Sequence, residues 1–359
     1  MNKEILLSYF PKITSRRYQQ LVAVFSSLDD AWDADRNGLL KTGWKEDIVD
    51  QFLVWKEKID ENKIERILNQ EEIYCLTKDD ADYPNLLKEI YDPPFCLFVR
   101  GEFKPDDFSL AVVGTRKFSP YGKQVTEELV ADLASQGITI ISGLAIGIDC
   151  LAHEATLKSG GKTIAVLGSG INRQHIYPGQ NKDLAERIIK SGGALISEYP
   201  PGTLPSKFTF PRRNRIVAGM SLGTLVIEAP EGSGALITAQ CTLDNGREVF
   251  SVPQNINTAN STGPNELIKN GAHLVTKADD VLDALNLQDV KKYISSQAII
   301  PDSPTEAKIL ANLTREPIHI DELTKKCELD SSQINATLIL MEMKGKVRNL
   351  GGMMYVLGR

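Results

Sequence analysis

The 359-residue chain lacks most of the features that assign a protein to a specialised class. Its five cysteines, at 75, 96, 150, 241 and 327, form no CxxC pair. That excludes a zinc ribbon or a disulfide framework and suits a reducing compartment. No apolar run approaches the roughly 20 residues of a membrane helix. The opening stretch MNKEILLSYFPKITSRR holds no signal-peptide core, so a cytoplasmic protein without membrane contact is expected. Basic charge is not in excess: the net charge is −6, and residues 1–104 carry 15 basic against 20 acidic side chains. Any nucleic-acid site must therefore be a local patch rather than a global field. Nucleotide fingerprints are missing as well. The candidate loops read GTRKFSPYG and GSGINR where a dinucleotide site needs GxGxxG, and no GxxxxGK[ST] occurs. Neither NAD nor ATP, nor any other cofactor or metal, is expected. What remains is ordinary soluble composition, 42% hydrophobic and 25% charged, in a chain long enough for two or three domains.

The most informative stretch is Phe208-Thr209-Phe210-Pro211-Arg212-Arg213-Asn214-Arg215-Ile216-Val217. Three guanidiniums fall within four positions, Lys207 precedes them, and Pro211 reads as a helix start. Ile216, Val217 and Met220 supply a core-facing stripe. Cations in a first turn oppose the helix dipole, so their gathering there points to an anionic ligand. Phosphate fits the planar fork of arginine best. A solvated basic helix start, or arginines paired with distant carboxylates, is the plainer alternative.

In chain order, residues 1–70 show apolar positions at helical spacing, as in Leu21-Val22-Ala23-Val24-Phe25 and Ile48 to Trp55, broken at Asn37-Gly38 and Thr42-Gly43. A small helical domain of the SAM or helix-hairpin-helix type is expected, although no clear GxG hairpin is present. Residues 71–108 read as a connector with strand-like runs at 73–76 and 95–99. From 109 the pattern becomes strand, glycine loop, helix, repeated through about 287. Fully apolar strands alternating with helices predict a mostly parallel sheet covered on both faces, a Rossmann-like doubly wound α/β fold. Residues 288–304 read as a polar linker. Residues 305–359 read as three helices and a hairpin, a winged helix. Its third helix, Ser331–Lys344, carries Ile334, Leu338, Ile339, Leu340 and Met341 and no basic residue before Lys344. That favours protein contact over base reading.

In such a sheet, ligands bind beyond the carboxyl ends of the strands. The loops expected there carry Gly114, Gly143, Gly147, Gly168, Gly170, Gly202, Gly232 and Gly234, with Arg116 in the first. Glycines let backbone N–H groups approach an anion, and the combination reads as a groove for several phosphates. Among acid–base candidates, Asp149 and His153 stand four apart on one helix, either as a helix-stabilising pair or as a catalytic couple. Asp149 and Glu228, at strand ends, would serve the alternative function of an N-glycosidase-type nucleotide hydrolase. Phe208 and Phe210 are base-stacking candidates or core.

Together these stretches resemble the DNA-processing protein A family (DprA, also called Smf). The matching segments are VVGTR (112–116), SGLAIGIDCLAHEATL (142–157), VLGSGINRQHIYPGQN (166–181), SEYPPG (197–202), FPRRNRIVAG (210–219), EGSGALITAQ (231–240), GREVFSVP (246–253) and LIKNGAHLV (267–275). The resemblance implies a non-enzymatic protein of natural transformation. Such a protein binds single-stranded DNA through its Rossmann-like domain, forms a homodimer and loads the RecA recombinase. It places the basic pocket on Arg116, Lys207, Arg213 and Arg215, with Arg212 at a variable position. The expected phosphate-binding set is thus Gly114, Thr115, Arg116, Ser142, Gly143, Lys207, Phe210, Arg212, Arg213, Asn214 and Arg215. Ile146 and Pro253-Gln254 depart from the family pattern.

Overall fold

From residue 109 onward, short apolar runs alternate with helices, and each run becomes a strand of one nine-stranded sheet. The structure is a computed structural model that describes residues 1–104, 108–287, 303–313, 318–327, 329–343 and 346–357. The strands are β1 (Ile73–Thr77), β2 (Cys96–Gly101), β3 (Ser109–Val113), β4 (Thr139–Ser142), β5 (Thr163–Val166), β6 (Ala194–Ser197), β7 (Gly223–Val226), β8 (Glu248–Ser251) and β9 (His273–Leu274). Their order is β1-β2-β6-β5-β4-β3-β7-β8-β9. Pairing from β6 through to β9 is parallel. The connector does more than lead into the domain, since β1 and β2 extend the same sheet by antiparallel pairing on β6.

Side chains alternate between the two faces along each strand. Ile164, Val166, Ala194 and Ile196 join Ile216, Val217 and Ala239 in a core on one face. Ala165 and Leu195 join Leu184, Ala185 and Ile188 on the other. Helices Thr209–Gly219 and Gly234–Asp244 therefore cover one face, and Lys182–Lys190 the other. The parallel segment runs β3 to β6 in one direction and resumes with β7 on the far side of β3. A crevice forms where such an order reverses, outside the carboxyl ends of the strands.

Six short helices between Lys3 and Gln70 precede the sheet. Thr14, Ser27, Asp35 and Asp60 cap four of them through side-chain oxygens. They bury Leu7, Phe10, Leu21, Leu39, Trp44 and Phe52 among themselves. They also share a core with the sheet, where Leu6, Ile64 and Leu68 meet Phe98 and Tyr18 stacks on Phe95 at 4.4 Å. Met1–Gln288 accordingly forms one compact unit, and Asp289–Arg359 another.

The second unit has helices Pro304–Asn312, Ile320–Cys327 and Ser331–Met343. Its three-stranded sheet includes a short strand, Ile318–His319, that the sequence did not announce. Ile334, Leu338 and Met341 are buried, while Ile339 and Leu340 are exposed. The expected end of the third helix at Lys344 and most of the 288–304 linker lie outside the described residues. Among the described residues, no helix is long and apolar enough to cross a membrane.

Candidate nucleic-acid interface

A cleft of about 820 Å³ opens at the crevice beside β3, lined by Gly114 to Lys117, Gly143, Asp149, Lys207, Phe210, Arg213, Asn214 and the loop at Ser233-Gly234. The loop after β3 is held from below. Thr115 N–H donates to the Glu228 carbonyl at 2.7 Å, and Ile148 N–H donates to the Thr115 carbonyl at 3.2 Å. Gly147 has φ +100°, and a Cβ there would overlap the Thr115 carbonyl and come 2.6 Å from Arg116 Cα. Only glycine meets both demands. Thr115 is thereby buried and Arg116 turned outward, exposed to solvent.

The arginine helix starts at Thr209, two residues before the expected Pro211, which sits within the first turn where its missing N–H is no loss. Its cations divide. Arg213 is buried and donates from Nη1 to the Gly143 carbonyl at 2.6 Å and to the Val166 carbonyl. A Cβ on Gly143 would lie 2.5 Å from Arg213 Cζ. Beside it, buried Asp149 accepts from Gly143 N–H at 3.1 Å and Ala145 N–H at 3.4 Å. Burial pushes the Asp149 carboxyl up, and the Arg213 charge opposes that shift. Asn214 donates to the Gly234 carbonyl at 3.1 Å, tying the helix to the loop after β7.

Arg212 and Arg215 turn away from this cleft. Arg215 pairs with Glu198 and with Asp92 at 3.3 Å, and Arg212 Nε lies 3.6 Å from Glu198 Oε1. Lys207 is exposed, its Nζ 5.1 Å from the centre of the exposed Phe208 ring. Phe210 is half-buried, 5.6 Å from Tyr177. Ser142 is buried, its hydroxyl donating to the Val112 carbonyl at 2.6 Å.

Of the expected set, then, Gly114, Thr115, Arg116, Gly143, Lys207, Phe210, Arg213 and Asn214 meet at the cleft. Ser142, Arg212 and Arg215 do not line it. Arg116 and Lys207 have no carboxylate within ion-pair distance among the described residues. Among the further lining residues that sequence reasoning passed over are the polar side chains of Lys117 and Asn260. Lys117 was legible as the cation following Arg116; Asn260 reaches the site only by folding, donating to the Lys117 carbonyl and to Glu228.

The two carboxylates considered for hydrolysis are both engaged. Glu228 is buried and accepts from Ser119 N–H at 2.9 Å, the Ser119 hydroxyl at 2.5 Å and Asn260 at 3.0 Å. Asp149 and His153 do not bond each other. His153 is buried, its Nδ1 2.7 Å from Thr163 Oγ1. Since that hydroxyl donates to the Ile140 carbonyl, Nδ1 carries the ring proton and Nε2 is bare. Nε2 has no partner among the described residues. Among the described residues, no cluster of His, Cys, Asp and Glu could hold a metal.

The chain is similar in sequence and fold to known proteins. The family model for DNA recombination-mediator protein A matches residues 74–286, and that for the DprA winged helix domain matches residues 295–353. Protein Smf of Escherichia coli K12 is 39% identical over 292 residues, covering 79% of this chain and 78% of its own length. DNA processing protein DprA of Bacillus subtilis is 41% identical over 234 residues, covering 64% and 78% respectively. Among solved structures, DNA processing protein A of Streptococcus pneumoniae superimposes with a TM-score of 0.66 at 35% identity, covering 78% of this chain and 95% of that one. DNA processing protein A of Helicobacter pylori, studied for its single-stranded DNA binding mode, gives 0.53 at 29% identity, covering 60% and 96%. The doubly wound sheet, the winged-helix unit and these matches together place the chain in the DNA recombination-mediator protein A (DprA/Smf) family of DNA-processing proteins.

Proposed function

We propose that the chain binds single-stranded DNA in the cleft beside β3 and acts without catalysis. It would protect the strand and load a RecA-type recombinase during transformation and recombination. The observation that carries this reading is the pair of exposed, carboxylate-free cations, Arg116 and Lys207, in the lining of a cleft edged by glycine loops. Arg213 supports the same cleft from inside. Its guanidinium is committed to two carbonyls, so its work is to hold the β4 loop against the arginine helix, with its charge felt through the floor. Phe210, half-buried at the rim, offers a face on which a base can stack, a sequence-tolerant contact. The single-strand binding studied in the Helicobacter pylori relative accords with this chemistry. The hydrolase reading has less support, because Glu228 is sealed under Ser119 and Asp149 is committed to backbone N–H groups.

The test is fluorescence anisotropy with single- and double-stranded oligonucleotides over a range of salt. Replacing Arg116 and Lys207 together by Ala should weaken binding to all sequences and flatten the log–log salt slope by about 1.4, ~0.7 for each phosphate no longer neutralised on a single strand. Unchanged affinity and slope would defeat the assignment. Base release or strand cleavage by the pure protein, abolished in Glu228→Gln, would favour the hydrolase instead.

A further inference from the structure

Arg116 and Lys117 stand on the loop that joins β3 to the helix Pro120–Ser135, and both are exposed. The near half of that loop is held through Thr115, whose N–H reaches the Glu228 carbonyl and whose Oγ1 accepts from Lys117 N–H at 3.1 Å. The far half is held by one side chain. The Glu228 carboxylate, 1% exposed, accepts from the N–H and hydroxyl of Ser119 and from Asn260 Nδ2. Asn260 Nδ2 also donates to the Lys117 carbonyl at 2.9 Å. Both of its amide hydrogens are thus taken, so Asn260, although it lines the cleft, has no donor left for a ligand. Ser119 Oγ in turn accepts from Gly122 N–H at 3.0 Å and caps the helix.

Every donor on this carboxylate is neutral. A buried charge is therefore kept in place by hydrogen bonds at a helix N-terminus rather than by a cation. Room is made for it at Gly122, where a Cβ would stand 2.4 Å from Glu228 Cδ, although glycine weakens a helix. An apolar side chain would fill the same space without the desolvation of a charge. What the carboxylate adds is direction, since it fixes where Ser119 stands and, through Asn260, where the Lys117 carbonyl stands. Resting on the single-strand reading above, we infer that Glu228, Ser119 and Asn260 are positioning residues for strand binding. They hold residues 115–119 in the conformation that presents Arg116 and Lys117 to the phosphates, without contacting the strand themselves. The loop then has little left to order when the strand arrives, and affinity is preserved.

Anisotropy titrations of the full chain with oligo-dT over a range of salt test this. Asn260→Ala and Ser119→Ala should each weaken binding roughly threefold to tenfold, the scale of one or two lost hydrogen bonds. The salt slope should stay as in wild type, because no cation is removed. Placed in an Arg116→Ala, Lys117→Ala background, the same substitutions should cause no further loss, since the cations they position are gone. A merely structural role would lower the melting temperature and leave the affinity of the folded protein alone, or cause equal losses in both backgrounds. Either result overturns the inference. So does wild-type affinity in Asn260→Ala, the variant that keeps the helix cap intact. An Arg116→Ala, Lys117→Ala protein that binds like wild type would instead remove the reading of the cleft itself, and the positioning role with it.

Discussion

Arg213 and Arg215 stand two positions apart on one helix and have separate fates, because the helix presents them to different faces. The sequence shows both as equal candidates for phosphate. Arg213 becomes a buried strut because the Gly143 and Val166 carbonyls, 70 and 47 positions earlier in the chain, arrive beside it. Arg215 becomes half of an ion pair because Glu198 and Asp92 arrive beside it. No local pattern reports such long-range partners. Arg116 was legible only as a cation in a glycine loop; the groups that turn it outward, Gly147, Ile148 and the Glu228 carbonyl, are also distant in the chain. His153 is another residue whose role is set by the fold. Burial, reinforced by the Arg213 charge, depresses its pKa to about 3, whereas an unfolded histidine titrates near 6.5. Between these values the unfolded chain binds a proton that the native state refuses. The stability contributed by neutral His153 is therefore complete above about pH 6.5 and drains as pH falls toward about 3, at up to ~1.4 kcal/mol per pH unit. Denaturant unfolding of wild type and His153→Gln from pH 7 to pH 5 should show wild type losing stability faster. Parallel pH profiles would remove His153 as the acid-sensitive group.

At the scale of elements, the strands were the easiest to read. The apolar runs at 110–113, 194–197 and 249–252 fall within a residue of β3, β6 and β8, because a strand buried on both faces is written as an unbroken apolar run. The union of β1 and β2 with the main sheet was not legible, since pairing partners leave no local trace. Nor was the cavity of about 530 Å³ beside the proline-rich loop after β6, which draws residues from four separated segments. The arginine helix owes its placement to a residue outside it. Arg247 donates from Nη1 to the carbonyls of Ala218, Gly219 and Ser221 at 2.7–2.9 Å, and from Nη2 to the Leu86 carbonyl at 2.5 Å. One guanidinium thus caps the helix C-terminus, where cations are favoured, and ties it to the connector. Arg247→Met would strand these carbonyls at a cost of about 2–3 kcal/mol and lower the Tm by about 5 °C. The salt slope of DNA binding should stay as in wild type, because every cation proposed to meet phosphate is still present. A variant with unchanged Tm would show that the clamp carries no stability.

For the whole molecule, the cleft proposed for DNA lies at the carboxyl edge of the sheet, so a surface for a second copy would lie elsewhere. The segment 246–285 contains the outer strand of the sheet, β9, beyond which no strand pairs among the described residues. The structure sorts its apolar residues. Leu267 packs against the main core, whereas Ile256 is 84% exposed and Leu274, on β9 itself, 49%. Exposed apolar residues beside a short outer strand are the kind of surface that a second copy covers. Two copies joined there would present two clefts, and one strand spanning both gains avidity with no new kind of contact. Light scattering should therefore report a dimer for the wild type at tens of micromolar and a monomer for Ile256→Glu combined with Leu274→Glu, with an unchanged melting temperature for the isolated fold. Leu267→Glu is the wrong probe, since it would damage the core whether or not a dimer forms. A wild type that remains monomeric would defeat the homodimer. A double variant that remains dimeric would move the interface off this segment, and the avidity argument with it.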